Sequence, residues 1–236
     1  MIIDGKGLAK KIRNNVKLEV EKLKEEGITP KLAVIMIGND KASEVYVRNK
    51  SKACDEVGIE FEEFLRDESI SQEELIELID ELNGRDDING ILLQSPIPKH
   101  LDIQEAFNRI DYKKDVDGFN PVNVGKLAIG ENGFVSCTPY GVMKMLEDNG
   151  IELAGKRAVV IGRSNIVGKP VAQCLLKENA TVTICHSKTQ GIENLVKEAD
   201  IVVAALGKPK FVTADMVKEG AVVILLSRRA TISAAA

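Results

Sequence analysis

Apolar positions along the chain follow two alternating rhythms. In residues 7–26, GLAKKIRNNVKLEVEKLKEE, Leu8, Ile12, Val16, Val20 and Leu23 recur at helical spacing and Gly27 supplies a stop. KLAVIMIG then reads as a strand, and a helix is predicted from about Ala42 to Val57. IEFEEFL is the next strand, followed by a helix at 71–83 in which Ser71 and Glu74 stand at capping-box spacing. The strand GILLQ ends in the turn SPIP, and DIQEAFNRI is a short helix. KDVDGFNPVNVGKLAIGENGF carries Gly and Pro at turn spacing and no helical period, which predicts an irregular joint between a domain at 1–119 and another at 120–236. Beyond it come a helix at 139–149, strand KRAVVIG, helix KPVAQCLLKE, strand ATVTICH, helix GIENLVKEA, strand DIVVAALG, helix TADMVKEG and strand AVVILL. This switching is the signature of βαβ units, so the fold class is α/β with parallel sheets in two domains. Ligands of such folds bind at the carboxyl ends of the strands, and a cleft between the two halves is the default site.

Composition narrows the classes. A chain of 236 residues with 44% hydrophobic and 29% charged positions can bury a sizeable core, and no apolar run is long enough to cross a bilayer. The opening MIIDGKGLAKKIRN has no apolar stretch behind its basic residues, so a cytoplasmic protein is expected. A net charge of -4, only 4% aromatic residues and no Trp leave no footprint for nucleic acid. Cys54, Cys137, Cys174 and Cys185 lack the paired spacing of a zinc or redox motif, and His100 and His186 do not complete a metal site. Buried, reduced thiols and no metal are the expectation.

AVVIGRSNIVGKPVAQCLL runs from strand to helix with Gly162 and Gly168 in the connection. One glycine permits a tight turn, the other a close helix approach, and the helix start directs N–H groups at a phosphate. Ser164 stands where the middle glycine of the dinucleotide fingerprint would fall, so spacing alone leaves an ordinary βα turn open. The next strand ends in CHSKT. His186, Ser187, Lys188 and Thr189 include no carboxylate to hold a ribose hydroxyl, and Arg163 follows the first glycine, which favours NADP over NAD. A solvated polar loop is the alternative.

In the first half, Tyr46 and Lys50 are four apart on one predicted helix face. A lysine amine in a partly desolvated cleft loses proton affinity, and a nearby hydroxyl can relay a proton. An amphipathic surface pair is the competing account. Gln94 ends GILLQ at the sheet's carboxyl edge, where a neutral amide can bond an amine or a polar ring without adding charge. Of Asp115 and Asp117, alternation turns one toward the cleft, where a carboxylate could accept paired hydrogen bonds from an aminopyrimidinone edge. Both could instead be turn-forming aspartates.

Together these blocks resemble the bifunctional methylenetetrahydrofolate dehydrogenase/methenyltetrahydrofolate cyclohydrolase family over roughly residues 1–224. The resemblance rests on YVRNKSKACDEVGI, GILLQSPIP, KDVDGFNPVNVGKLA, CTPYG, GRSNIVGKP, TVTICHSKT and IVVAALGKP, in family order. It implies an N-terminal folate-binding catalytic domain and a C-terminal Rossmann-like NADP-binding domain. It further implies Lys50 as the central catalytic residue, Tyr46 and Gln94 assisting, and Asp117 on the pterin; Gly162, Arg163, Ser164, Gly168 and Ser187 would hold NADP. Tetrahydrofolate derivatives and a second copy of the chain are the implied partners. The family's segment after the last strand is replaced by AVVILLSRRATISAAA, with Leu225 and Ser227 in place of its aspartate and glycine. A non-catalytic NADP-binding remnant, or an oxidoreductase resembling shikimate dehydrogenase, are the competing readings.

Overall fold

A computed structural model describes residues 2–208 and 210–226. The chain divides into two compact units, Met1–Val124 and Gly125–Ala236.

In the first unit, helix α1 (Gly5–Glu25) leads to strand β1 (Lys31–Ile37), α2 (Lys41–Val57), β2 (Glu60–Arg66), α3 (Gln72–Gly84), β3 (Gly90–Leu93) and α4 (Ile103–Arg109). The strands form a parallel sheet in the order β2-β1-β3, with Ile35 opposite Phe64 on one side and Leu93 on the other. Both faces of the central strand are buried, so β1 carries no polar alternation. Ala33, Ile35 and Ile37 pack with Leu75, Ile79 and Leu82 of α3 and Phe107 of α4, while Val34 and Met36 pack with Val47 of α2 and Leu92. The predicted capping box forms: the Ser71 hydroxyl accepts from the Glu74 N–H, and the Glu74 carboxylate accepts from the Ser71 N–H.

The second unit contains α6 (Cys137–Asp148), β4 (Arg157–Ile161), α7 (Gly168–Lys177), β5 (Thr181–Cys185), α8 (Ile192–Glu198), β6 (Ile201–Ala204) and β7 (Val222–Leu225), after a helix α5 (Pro121–Ala128) that spans the division between the units. Its parallel sheet runs β5-β4-β6-β7. Val160 and Ile201 face α6 and α7, whereas Val159 and Val202 face α8, so this sheet is also covered on both sides. The fold class is therefore the expected α/β, with two parallel sheets. Among the described residues no helix is long and apolar enough to cross a membrane.

Two elements differ from the sequence expectation. The segment predicted to be irregular contains α5, because tertiary polar contacts supply what a helical period does not. The Asn120 side chain accepts the Val122 N–H at 2.9 Å, Pro121 occupies a position where no donor is missed, and the Asn120 amide donates to the Ile110 carbonyl. TADMVKEG, expected as a helix, makes only a single 3₁₀ turn, Ala214–Met216. The chain is extended again at Val217, where Lys218 is drawn to Asp200 at 2.6 Å, and Gly220 takes a left-handed turn. Cys54, Cys174 and Cys185 are buried as expected, and burial pushes each thiol up, that of Cys174 to about 11. Cys137, the first residue of α6, is instead exposed. Residues 227–236, including Ser227 and most of the atypical C-terminal run, lie outside the described residues.

Gly90 marks where the strand edge and the 114–117 segment meet. A Cβ there would lie 2.5 Å from the Val116 Cγ1. Gly90→Ala is expected to destabilise the first unit by about 1–3 kcal/mol, as overpacking does. Urea denaturation reads this directly, and an unchanged midpoint would contradict the close approach.

Candidate active site

The site in the first unit is built at the carboxyl end of its sheet. Asp40 caps α2 by accepting the Ser43 N–H, and Gly58 ends the helix in a left-handed conformation, so the helix carries Tyr46 and Lys50 at fixed positions four residues apart. Gln94 follows β3, and its backbone N–H donates to the Ile35 carbonyl on the neighbouring strand. Its amide nitrogen donates to the Ser95 carbonyl at 2.7 Å, which turns the amide oxygen toward α2. There it accepts a hydrogen bond from the Lys50 Nζ at 2.8 Å. Gln94 is buried and Lys50 half-buried, so this contact is made away from bulk water. The two residues lie 44 apart in sequence, and the fold brings them together. Tyr46 shares the helix face but is 58% exposed, with its phenol open to an incoming molecule.

Asp117 completes the group. Burial pushes its carboxyl up to about 6; the Lys50 charge pulls it down and the Asp115 charge pushes it further up. The two aspartates therefore have different surroundings. Asp115 is only 2% exposed, and one carboxylate oxygen accepts from both the Asn120 N–H at 2.8 Å and the Asn123 side-chain amide at 2.9 Å. Alternation along the chain left the choice between them open, and the family resemblance implied Asp117. Asn120 and Asn123 were missed; for them the Asn-Pro pair at 120–121, a cap followed by a helix-opening proline, is the available signal.

In the second unit the connection from β4 to α7 is as tight as its glycines require. A Cβ on Gly162, whose φ is +129°, would lie 2.5 Å from the Ala205 carbonyl oxygen; one on Gly168 would lie 2.2 Å from the Gly162 carbonyl oxygen. Ser164 has a specific place in this turn. Its hydroxyl oxygen accepts the Val167 and Gly168 N–H groups at 3.2 and 3.3 Å, which leaves its own O–H to donate outward. Arg163, Ser164 and Ser187 are all exposed. After β5, the His186 N–H donates to the Thr189 hydroxyl at 2.9 Å, closing a compact turn that presents Ser187 and Lys188. These backbone constraints match a dinucleotide-binding turn in which serine has replaced the middle glycine. A side chain at either glycine would collide with neighbouring backbone, so this close turn requires both glycines.

Two parallel α/β units, the second with a turn of dinucleotide-binding form, define a two-domain class of dinucleotide-linked proteins. Residues 3–117 match the family model of the tetrahydrofolate dehydrogenase/cyclohydrolase catalytic domain, and residues 136–229 match that family's NAD(P)-binding domain. The chain is 55% identical over 223 residues to the bifunctional protein FolD of Acetivibrio thermocellus, covering 94% of this chain and 78% of that protein. Against the FolD of Moorella thermoacetica the figures are 55%, 94% and 80%. The crystal structure of the bifunctional FolD enzyme from Campylobacter jejuni superposes with a TM-score of 0.93 at 46% identity, covering 94% of this chain and 79% of that one. The Trypanosoma brucei FolD structure, complexed with NADP cofactor and inhibitor, does so with a TM-score of 0.89 at 39% identity, covering 94% and 77%. The chain belongs to the tetrahydrofolate dehydrogenase/cyclohydrolase family. Membership gives no support to the reading that resembled shikimate dehydrogenase.

Keeping a carboxyl in such surroundings costs stability. Its folded pKa of about 6 lies above the ordinary 3.8, so between these values the native chain holds a proton that the unfolded chain releases. The cost is absent below about pH 4, grows through that interval and is complete above about pH 6, reaching at most about 3 kcal/mol. Asp117→Asn is therefore expected to be more stable than the parent at about pH 8 and no more stable at about pH 4. Urea midpoints at the two pH values check this; a difference that does not vary with pH would contradict the assigned burial.

Proposed function

We propose that this chain oxidises 5,10-methylenetetrahydrofolate to 5,10-methenyltetrahydrofolate with NADP and hydrolyses that product to 10-formyltetrahydrofolate, with Lys50 as its central catalytic residue. The observation that carries the reading is the hydrogen bond from the Lys50 Nζ to the buried Gln94 Oε1, beside a half-buried Asp117. Such a cluster of a lysine, an amide and a carboxyl with raised pKa is costly in a merely structural role and useful for moving protons.

The residues divide the work by chemistry. Asp117 accepts paired hydrogen bonds from the aminopyrimidinone edge of the pterin, which fixes the ring in the site. NADP, when bound, supplies the hydride acceptor. Gly162 and Gly168 let the backbone approach its phosphates, the outward Ser164 O–H donates to one of them, and Arg163 and Ser187 serve the 2′-phosphate. The absence of any carboxylate in His186–Thr189 and the NADP held by the Trypanosoma brucei relative support NADP over NAD. Loss of hydride leaves a methenyl cation shared by two folate nitrogens, and positioning rather than a strong base governs that step.

Hydrolysis is where the amine matters. Water adds to the cationic carbon, Lys50 takes a proton from it, and a proton passes to the ring nitrogen as its bond to that carbon breaks. One proton is released overall. The Gln94 oxygen aims the Lys50 Nζ without adding charge, and the exposed Tyr46 phenol reaches the folate from the same helix face. The proposal places the enzyme in the cytoplasm, in keeping with four free thiols. It also makes the enzyme a homodimer through the second unit, where β5 is an edge strand with Ile184 exposed; sedimentation of a monomer at micromolar concentration would refute that assembly.

Lys50→Met keeps the length of the side chain and removes its amine. Hydrolysis of methenyltetrahydrofolate is expected to fall to the buffer rate in this variant, a loss of at least about 100-fold. Retention of the parent rate would show that Lys50 does not carry the proton.

A further inference from the structure

The most deeply buried carboxylate in the first unit is Asp115, and the reaction does not use it. Its place in the turn is specific. Its carbonyl accepts the Gly118 N–H at 3.2 Å, closing a four-residue turn with Asp117 at the third position and Gly118 in a left-handed conformation, φ +66°. Asp115 also bridges to Ile91 of β3, and the Ile91 N–H donates to the adjacent Lys114 carbonyl at 2.7 Å. The backbone thus ties one side of the turn to the strand that ends in Gln94. The Asp115 side chain ties the other side to α5, through the Asn120 N–H and the Asn123 amide, and Asn123 also donates to the Tyr112 carbonyl. With its side chain replaced by a weaker acceptor, two buried donors would bond a neutral oxygen in place of a carboxylate and the turn would be tied to α5 less firmly.

We propose that Asp115 is a positioning residue: by accepting from Asn120 and Asn123 it sets the turn that presents Asp117 to the pterin. This rests on the assignment of Asp117 to the pterin made above. It makes α5 part of the folate site through its cap, although no α5 side chain need touch the substrate. The charged groups acting on Asp117 are Lys50 from α2 and Asp115 from its own turn, so Asp115 has an electrostatic effect on the site as well as a mechanical one.

Two variants separate these effects. Asp115→Asn removes the charge and one acceptor; it is expected to raise KM for methylenetetrahydrofolate about tenfold while KM for NADP and kcat stay within about twofold. The acid limb of its kcat/KM profile moves to lower pH, because a like charge no longer opposes ionisation of Asp117. Asn123→Ala keeps the charge and removes the ties to Asp115 and the Tyr112 carbonyl; it is expected to raise the folate KM about threefold and leave the acid limb in place. General loosening of the fold would raise both KM values and shift neither limb, and that result, or parental values in both variants, overturns the proposal. If Asp115→Asn does not fold, Asn123→Ala decides alone: a rise confined to the folate KM supports the proposal, and no rise overturns it. Asp117→Asn measured alongside distinguishes the levels. A parental folate KM there refutes the pterin assignment and the proposal with it, whereas a raised KM with parental Asp115→Asn refutes the proposal alone.

Discussion

The candidate site turns on one contact, the hydrogen bond by which the buried Gln94 amide holds the half-buried Lys50 amine. The Gln94 amide is fixed at both ends. Its oxygen takes the Lys50 N–H at 2.8 Å, and its nitrogen is spent on the Ser95 carbonyl, so the amide cannot present its donor end to the lysine. A carboxylate in that position would add a charge beside the amine; an apolar residue would remove this acceptor. The neutral acceptor at the end of a buried strand orients the amine without adding charge.

The fold supplies this arrangement with ordinary parts. A central strand buried on both faces fixes the sheet, and the carboxyl ends of its strands are where backbone pairing stops and side chains become available. Gly90 lets the Asp115–Gly118 turn lie close against that edge, and Asp115 pins it to the following helix. The second unit solves a different problem with the same sheet type. There two glycines whose Cβ positions are filled by neighbouring backbone oxygens let the chain turn tightly from β4 into α7, with Ser164 capping the turn from within. The stability surrendered at Asp117 accords with the pterin-binding role proposed for it.

Much of this was legible in the sequence, for identifiable reasons. The unbroken apolar runs of β1 and β4, the Ser71 and Glu74 cap and the spacing of Gly162 and Gly168 are local signals, each complete within a few residues. Lys50 and Gln94 could each be singled out by type and position, but their contact spans 44 residues and only the fold makes it. Helix α5 was missed because its start depends on Asn120 bonding Ile110 and on Asn123 bonding Asp115, contacts that carry no period. The same network separates a structural Asp115 from Asp117, a distinction that alternation along KDVDG does not contain. The single 3₁₀ turn at Ala214–Met216 shows the reverse case, a helical composition overruled when Lys218 is drawn to Asp200.

The most direct measurement follows both steps on the purified chain in one reaction. Supplied with 5,10-methylenetetrahydrofolate and NADP, it should form NADPH, and 10-formyltetrahydrofolate should appear faster than the methenyl compound hydrolyses in buffer alone. NADPH formed while the methenyl compound accumulates and decays only at the buffer rate would contradict the role given to the Lys50 and Gln94 pair.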